Sequence, residues 1–526
     1  MMRVETFLQE SAQRFPDKVA LVAGSERVTY AALAERARRL ATTLAERGVG
    51  RGDRVVVFAD NSVEAVVAVF ATLAAGGVFS LVNPSTKADK LAFIIGNCRP
   101  AGLVTQEKLA GVAAEALARA PLDAQARAPV PARIVVGDPS GVPGAIAYED
   151  ALASDAAPLP GPGIVLDLAM LVYTSGSTGF PKGVMMTHQN VHAAATSVST
   201  YLEMSADDIV LCALPISFDY GLYQVLMSVL KGATLVIEKG FTFPQAVLNR
   251  VAEEAVTVLP LVPTMAALVL RMRDLAPGAY PTLRAITNTA AALPPSHIAQ
   301  LQALFPATRL FSMYGLTECK RCTWLPPAEL ARRPDSVGVA IPGTEAWVVD
   351  EDGRRLGPGE TGELVIRGPH VMAGYWENPE ATAKALRPGP YPWERVLYTG
   401  DLFRTDADGF LYFVARKDDI IKTRGEKVSP KEVETVLYAL PGVREAAVVG
   451  VEDPVLGQAL KAIVALDPGS ALGEREIRAH CARNLEDFMV PKHVSIVDAL
   501  PKTDTGKISR RAAAELDAIQ THGRAA

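Results

Sequence analysis

The stretch Tyr173-Thr174-Ser175-Gly176-Ser177-Thr178-Gly179-Phe180-Pro181-Lys182-Gly183 follows directly on the apolar run 168–172 (LAMLV). Its glycines let the backbone turn N–H groups toward an anion, and the hydroxyls of Thr174, Ser175, Ser177 and Thr178 add donors. Lys182 supplies positive charge, so the segment reads as a loop that grips a polyphosphate at the end of a strand. A plain Ser/Gly loop is the alternative, and the strand-like run before it and the Pro-Lys-Gly end after it weigh against that. The Walker pattern fails, because Phe180 and Pro181 intervene before the lysine and Gly183 follows it.

Working outward, short apolar runs at 54–59 (RVVVFA), 79–83 (FSLVN), 101–106 (AGLVTQ) and 132–137 (ARIVVG) alternate with Ala/Leu/Arg-rich helical stretches such as 29–48. That is the pattern of layered α/β sheets around buried strands, and it recurs after Thr187. The most apolar stretch, 65–82, is broken by Gly76 and Gly77 and falls short of a bilayer span, so it is expected to form a buried helix and then a buried strand. From 110 to 162 the composition shifts to Ala and Pro, which suggests a helix and surface loops. After Trp347, strand and turn pairs (346–356, 362–368, 409–416) predict a β-rich subdomain. Beyond Arg416 a helix, two strands and a further helix predict a compact α+β domain. The expected fold is α/β, with a large N-terminal domain over 1–417 and a small α+β C-terminal domain over 418–526.

A chain of 526 residues has ample length for a sizeable core, and 53 basic against 58 acidic residues leave a net charge of -5. Nothing in that balance favours nucleic acid or an anionic membrane surface as the partner. The amino terminus lacks the segments of a secretory signal, which points to a cytoplasmic protein. Five cysteines make no disulfide framework. Cys319 and Cys322 form a CxxC, but no second pair or suitably placed histidine accompanies it, and pocket-wall residues are the expected reading.

Further blocks carry chemistry. In Met313-Tyr314-Gly315-Leu316-Thr317-Glu318 a ring can stack on a base, a hydroxyl can bond a phosphate oxygen and a carboxylate can hold a magnesium ion. Taken alone, the same block reads as a strand end followed by a helix cap. Asp401, in Tyr398-Thr399-Gly400-Asp401, suits a ribose diol or a turn, and Arg416 suits a nucleotide or a surface ion pair. Lys507, in 500–508 (LPKTDTGKI), is by itself a lysine on a glycine turn.

These blocks, spread from Thr174 to Lys507, closely resemble the signatures of the adenylate-forming superfamily of acyl-CoA synthetases, standalone adenylation enzymes, peptide-synthetase adenylation domains and luciferases. The resemblance implies an enzyme that uses ATP and Mg2+ to convert a carboxylic acid to an acyl-adenylate. The acyl group then passes to a thiol, either coenzyme A or the phosphopantetheine of an acyl carrier protein. It implies that Thr174 to Gly179, Lys182, Tyr314, Gly315, Asp401 and Arg416 bind ATP. Thr317, Glu318 and Lys507 are the implied catalytic residues, with Glu318 on the metal and Lys507 bridging the substrate carboxylate and the α-phosphate. The small domain would be mobile, with Asp418 as its hinge and the loop at Gly425 serving thiol transfer. No Ser, Cys or His nucleophile is called for, and His188 is expected to order the helix after the phosphate loop.

The same resemblance lines the acyl pocket with Phe218 and Asp219, with the stretch 287–292 including Ala290, and with Met313 and Arg321 beside Tyr314. Asp219 matches the carboxylate that pairs with the substrate ammonium in amino-acid-activating relatives, so a standalone amino-acid or β-amino-acid adenylating enzyme is the main alternative. A helix cap at Asp219 is the plain reading. Lys320 and Arg321 offer a second carboxylate on the substrate as a further option. Where relatives have Gly-Gly-Ala, this chain has Ala290-Ala291-Ala292. A non-catalytic nucleotide-binding scaffold is the remaining alternative.

Overall fold

The computed structural model describes residues 3–120, 130–153, 155, 163–174, 181–272, 275–291, 293–423, 426–453, 457–485, 487–503, 508–510 and 512–515. Contacts divide the chain into two compact units, one of residues 1–346 and 366–397, the other of residues 347–365 and 398–526. The strands Thr361–Arg367 and Arg395–Thr405 each begin in one unit and end in the other.

The first unit is built on two sheets. One has nine strands, and its centre runs Arg309–Tyr314, Ala285–Asn288, Val258–Leu261, Ile209–Cys212, Thr234–Ile237, Val19–Ala23, all parallel. Antiparallel strands close both edges, Thr323–Leu325 and Val339–Ala340 on one side and Glu26–Thr29 on the other. The second has eight strands, parallel from Leu168–Thr174 through Val78–Val82, Arg54–Phe58, Gly102–Gln106 and Ala132–Val136 to Ile146–Ala147. The Ala/Pro-rich segment therefore adds two strands to this sheet besides its helix Ala110–Arg119. Such continuous Val/Ile/Leu runs are what parallel strands covered on both faces require, and Val78–Val82 is buried throughout. The apolar stretch before it forms the helix Val63–Ala74, buried on nearly every face and capped by Ser62, whose side chain accepts from the Ala65 N–H.

Parallel strands expose their carboxyl ends along one edge, where ligands of open α/β sheets bind. In the nine-stranded sheet these ends lead into 213–219, 289–291 and 315–318. In the eight-stranded sheet, Leu168–Thr174 turns back antiparallel as Lys182–Thr187, with Thr174 opposite Lys182. The phosphate-loop segment is thus the tip of a hairpin and does not open a helix, a second departure from the Walker arrangement.

The second unit contains an antiparallel sheet of Glu426–Val428, Ile421–Thr423, Gly457–Leu466 and Val443–Asp453, with His493–Val497 added in parallel. The helices Pro430–Tyr438 and Glu474–Asn484 bury Val433, Leu437, Ile477 and Cys481 against it. The α/β character and the separate α+β part agree with the expectation from sequence.

The helix His188–Tyr201 opens with a capping box between Thr187 and Asn190. His188 is buried, and its Nδ1 accepts the Val4 N–H at 3.1 Å. The ring is therefore neutral and ties the amino terminus to this helix. Burial, and then the nearby Arg3 charge, push its pKa from the ordinary 6.5 to about 4. Because the folded value is depressed, the full contribution is present above pH 6.5, falls as the pH drops from 6.5 toward 4, and falls no further below that. The full span is worth about 3 kcal/mol. In urea unfolding at pH 7.5, 6 and 4.5, the stability advantage of the wild type over His188→Gln should shrink steadily as the pH falls. A difference that does not change with pH would contradict this account.

Candidate functional site

In the first unit a single turn organises the chemistry. The strand Arg309–Tyr314 ends at Gly315 and the chain returns as Thr323–Leu325, with the Cys322 N–H bonded to the Tyr314 carbonyl at 3.0 Å. A Cβ on Gly315 would stand 1.7 Å from the Lys320 carbonyl oxygen, so only glycine fits there. Lys320 takes a left-handed backbone with φ 63°. No helix follows this block, which removes the reading of Thr317 and Glu318 as a helix cap; both lie in the turn, partly exposed. The Glu318 carbonyl accepts the Met372 N–H at 2.8 Å, and its Oε1 accepts the Tyr375 hydroxyl at 2.7 Å. The Lys182 ammonium lies 5.4 Å from the centroid of that tyrosine ring. Lys182, Tyr375 and Glu318 are thus linked. Ser175, Gly176, Ser177, Thr178 and Gly179 lie outside the described residues.

A second cluster abuts the first. Asp219 is the first residue of the helix Asp219–Lys231; the N-cap position is Phe218, which makes no side-chain cap bond, so Asp219 does not cap the helix as its plain reading supposed. A Cβ on Gly221 would meet the Pro215 carbonyl at 2.3 Å, and the glycine lets this helix start tight against the preceding turn. Arg321 places Nη1 3.9 Å from Asp219 Oδ2 and its guanidinium 4.5 Å over the Tyr220 ring. The Tyr220 hydroxyl lies 2.7 Å from both the carbonyl and the side-chain oxygen of Thr287. Segments 218–221, 287–291 and the flank of Tyr314 are therefore in contact. Ala290 adopts φ 77°, a conformation that costs an alanine and suits the glycine found in relatives. Met313 is buried, and its sulfur accepts the Tyr201 hydroxyl at 2.8 Å.

Lys320 is fully buried. Burial lowers its pKa; Asp219 and Glu318 oppose that, Arg321 reinforces it and Cys319 opposes it. The Cys319 thiol is raised by burial, but hydrogen bonds with Cys322 and then His370 outweigh this and bring it to about 6. Among the described residues no group of three or more His, Cys, Asp or Glu side chains is arranged to hold a metal ion. Both cysteines are free and buried.

In the second unit Asp401 lies within the strand Arg395–Thr405, directly opposite Arg416, and not in a turn. It is buried, with Arg416 Nε 3.5 Å from its Oδ1, while Arg416 itself is largely exposed. Asp418 falls in the short 3-10 turn Lys417–Asp419 that comes next, and its side chain is not described. Gly425 and Lys507 lie outside the described residues.

The comparisons match this layout. The AMP-binding enzyme family matches residues 8–376, and the AMP-binding enzyme C-terminal domain matches residues 432–507. The chain belongs to the AMP-binding enzyme family. Feruloyl-CoA synthase of Amycolatopsis is 34% identical over 500 residues, covering 94% of this chain and 95% of that protein. The L-proline–[L-prolyl-carrier protein] ligase of Pseudomonas fluorescens is 30% identical over 514 residues, covering 96% and 98%. The crystal structure of ATP-bound MatB from Rhodopseudomonas palustris superposes with TM-score 0.88 at 29% identity, covering 98% of each chain. Among the described residues no helix is long and apolar enough to cross a membrane.

Sequence reasoning did not single out Tyr375 or Tyr223. Tyr375 sits in the run Gly374-Tyr375-Trp376, where the only signal is an aromatic pair after glycine. A hydrogen bond to a carboxylate contributes about 1.5–3 kcal/mol. Tyr375→Phe, which keeps the ring under Lys182, should therefore weaken binding of ATP with magnesium about tenfold or more. Isothermal titration across a magnesium series measures this, and unchanged affinity would show that the hydroxyl does not orient Glu318.

Proposed function

We propose that this chain activates a carboxylic acid with ATP as an acyl-adenylate and passes the acyl group to a thiol, that of coenzyme A or of a carrier protein's phosphopantetheine. One observation carries the reading. Within a single unit an unbroken path of contacts runs from Lys182 through Tyr375 and Glu318 around the turn to Arg321, Asp219, Tyr220 and Thr287. A group that holds phosphates thereby adjoins a largely buried pocket, as adenylation demands. Membership of a family that contains acid–thiol ligases supports the same reading.

In the first half-reaction a carboxylate oxygen attacks the α-phosphorus as the bond to pyrophosphate breaks. Residues Thr174 to Gly179 and Lys182 hold the polyphosphate, Tyr314 and Gly315 lie along the base, and Asp401 with Arg416 binds the ribose and nucleotide. The donor set of the turn fits a hard cation, since the Tyr375 bond occupies one oxygen of Glu318 and leaves the second for magnesium beside the Thr317 hydroxyl. Magnesium bound there supplies charge neutralisation of the phosphates. Lys507 stabilises the charge that develops between carboxylate and α-phosphate. In the second half-reaction a thiol sulfur attacks the acyl carbonyl, the thiol proton is released, and AMP leaves. Asp418 serves as the hinge between the two halves, in a small domain over 418–526, and the loop at Gly425 serves thiol transfer. Free buried thiols suit a reducing, cytoplasmic setting.

The amino-acid alternative meets an obstacle in the ion pair of Asp219 with Arg321, because the carboxylate that would receive an ammonium already has a cation of the chain beside it.

Acid-dependent exchange of labelled pyrophosphate into ATP tests the reading, and a chain that binds ATP yet exchanges with no acid would sink it. Lys507→Ala should lower that exchange about 100-fold or more, the scale of losing one preorganised charge-stabilising group. It should leave thioester formation from pre-made acyl-adenylate within about threefold. Equal losses in both steps would remove Lys507 from its adenylation role.

A further inference from the structure

We infer that the acid this chain activates carries a second anionic group, a carboxylate or comparable oxyanion, bound in the acyl pocket by Lys320 and Arg321. The inference rests on the adenylation reading and names the substrate class of that same site.

Lys320 and Arg321 are both buried, 0% and 3% exposed. Among the described residues the Lys320 Nζ, the Arg321 Nε and the Tyr223 hydroxyl have no hydrogen-bond partner. These three groups sit together, with the Lys320 ammonium 6.0 Å from the Tyr223 ring centroid and the Arg321 and Asp219 charges both acting on the Tyr223 hydroxyl. The charged or titratable groups facing Lys320 are Asp219, Glu318, Arg321 and Cys319. Glu318 has an oxygen committed to Tyr375, and Asp219 stands 3.9 Å from Arg321, beyond hydrogen-bond reach. Tyr220, whose ring underlies Arg321, spends its hydroxyl on Thr287.

The pocket is therefore rich in buried donors and poor in acceptors. Two cations share one carboxylate that touches neither at bonding distance. An α-ammonium would add a third cation to this cluster, and a purely aliphatic or aryl tail would leave the ammonium of Lys320 buried against apolar groups. An oxyanion brings several lone pairs and a negative charge, which together satisfy Lys320, Arg321 and Tyr223. A planar guanidinium stacked on a tyrosine is in turn preorganised to receive a carboxylate.

Pyrophosphate exchange with the full chain and magnesium decides the matter, using matched pairs: succinate, glutarate, adipate and phthalate, each against its monomethyl ester. For at least one pair the diacid should exceed the ester about tenfold or more in kcat/KM, since a site built for a polar group rejects an analogue lacking it. Arg321→Gln and Lys320→Gln should each collapse that ratio toward unity, mainly through KM of the diacid, while Arg321→Lys restores part of it. Esters and simple monoacids that perform as well as diacids in the wild type would overturn the inference and leave adenylation standing. A ratio unmoved in both Gln variants would do the same. Exchange with no acid at all, with ATP binding intact, would overturn the adenylation reading and this inference with it. Should the variants fail to fold, the wild-type comparison of diacid with ester alone decides.

Discussion

The tight return of the chain between Tyr314 and Thr323 is the constraint on which the rest depends. Gly315 packs against the Lys320 carbonyl at a distance no side chain tolerates, so the turn has essentially one conformation. From it the strand Thr323–Leu325 pairs back and closes the edge of the nine-stranded sheet. The same turn reaches the eight-stranded sheet, because the Glu318 carbonyl holds Met372 and the Glu318 side chain holds Tyr375. Tyr375 pairs with Val184 in the strand that begins at Lys182. One short turn thus ties the carboxyl edge of one sheet to the hairpin tip of the other, and the phosphate-facing lysine is fixed relative to the acid pocket through hydrogen bonds alone.

Stability does not explain this arrangement. A left-handed lysine costs about 1–2 kcal/mol, and burying an ion costs several more. The gross attraction between Arg321 and Asp219 at their separation is about 4 kcal/mol in a medium of intermediate dielectric, which does not repay two buried cations and a carboxylate. An apolar cluster of the same volume would fold at least as well. The cations are intelligible as a feature whose benefit appears when something binds, in the same way that Tyr375 is intelligible only once Glu318 has a charge to meet.

Much of the fold was legible because parallel strands buried on both faces need continuous apolar runs, and those runs stand out in 54–58, 78–82 and 102–106. The hairpin after Thr174 was harder. The residues 182–187 (KGVMMT) alternate only weakly, and the glycine-rich phrase before them draws attention to phosphate binding and away from the returning strand. The strand Ala132–Val136 was visible as an apolar run, yet its place in the main sheet was hidden inside an Ala/Pro-rich stretch that reads as loops. Such pairings are set by long-range contacts, which local composition does not encode.

The site shows the same division more sharply. Residues within one motif, such as Thr317 and Glu318, could be named from their chemistry, because the reacting groups lie close together in the chain. Partners that arrive from elsewhere could not. Tyr375 stands 57 residues from Glu318, and nothing local to either announces their hydrogen bond. Asp219 is the instructive case. Its sequence context supports an ammonium receptor and a helix cap equally well, since both need only a carboxylate near a helix start. What separates them is a guanidinium from 102 residues further along that lies 3.9 Å away. A carboxylate facing open pocket attracts a cation from the substrate; the same carboxylate beside Arg321, with Lys320 buried behind it, belongs to a region with positive charge to spare. The preference of the pocket thus turns on the sum of charges brought together by folding, and no single one of these residues carries it alone.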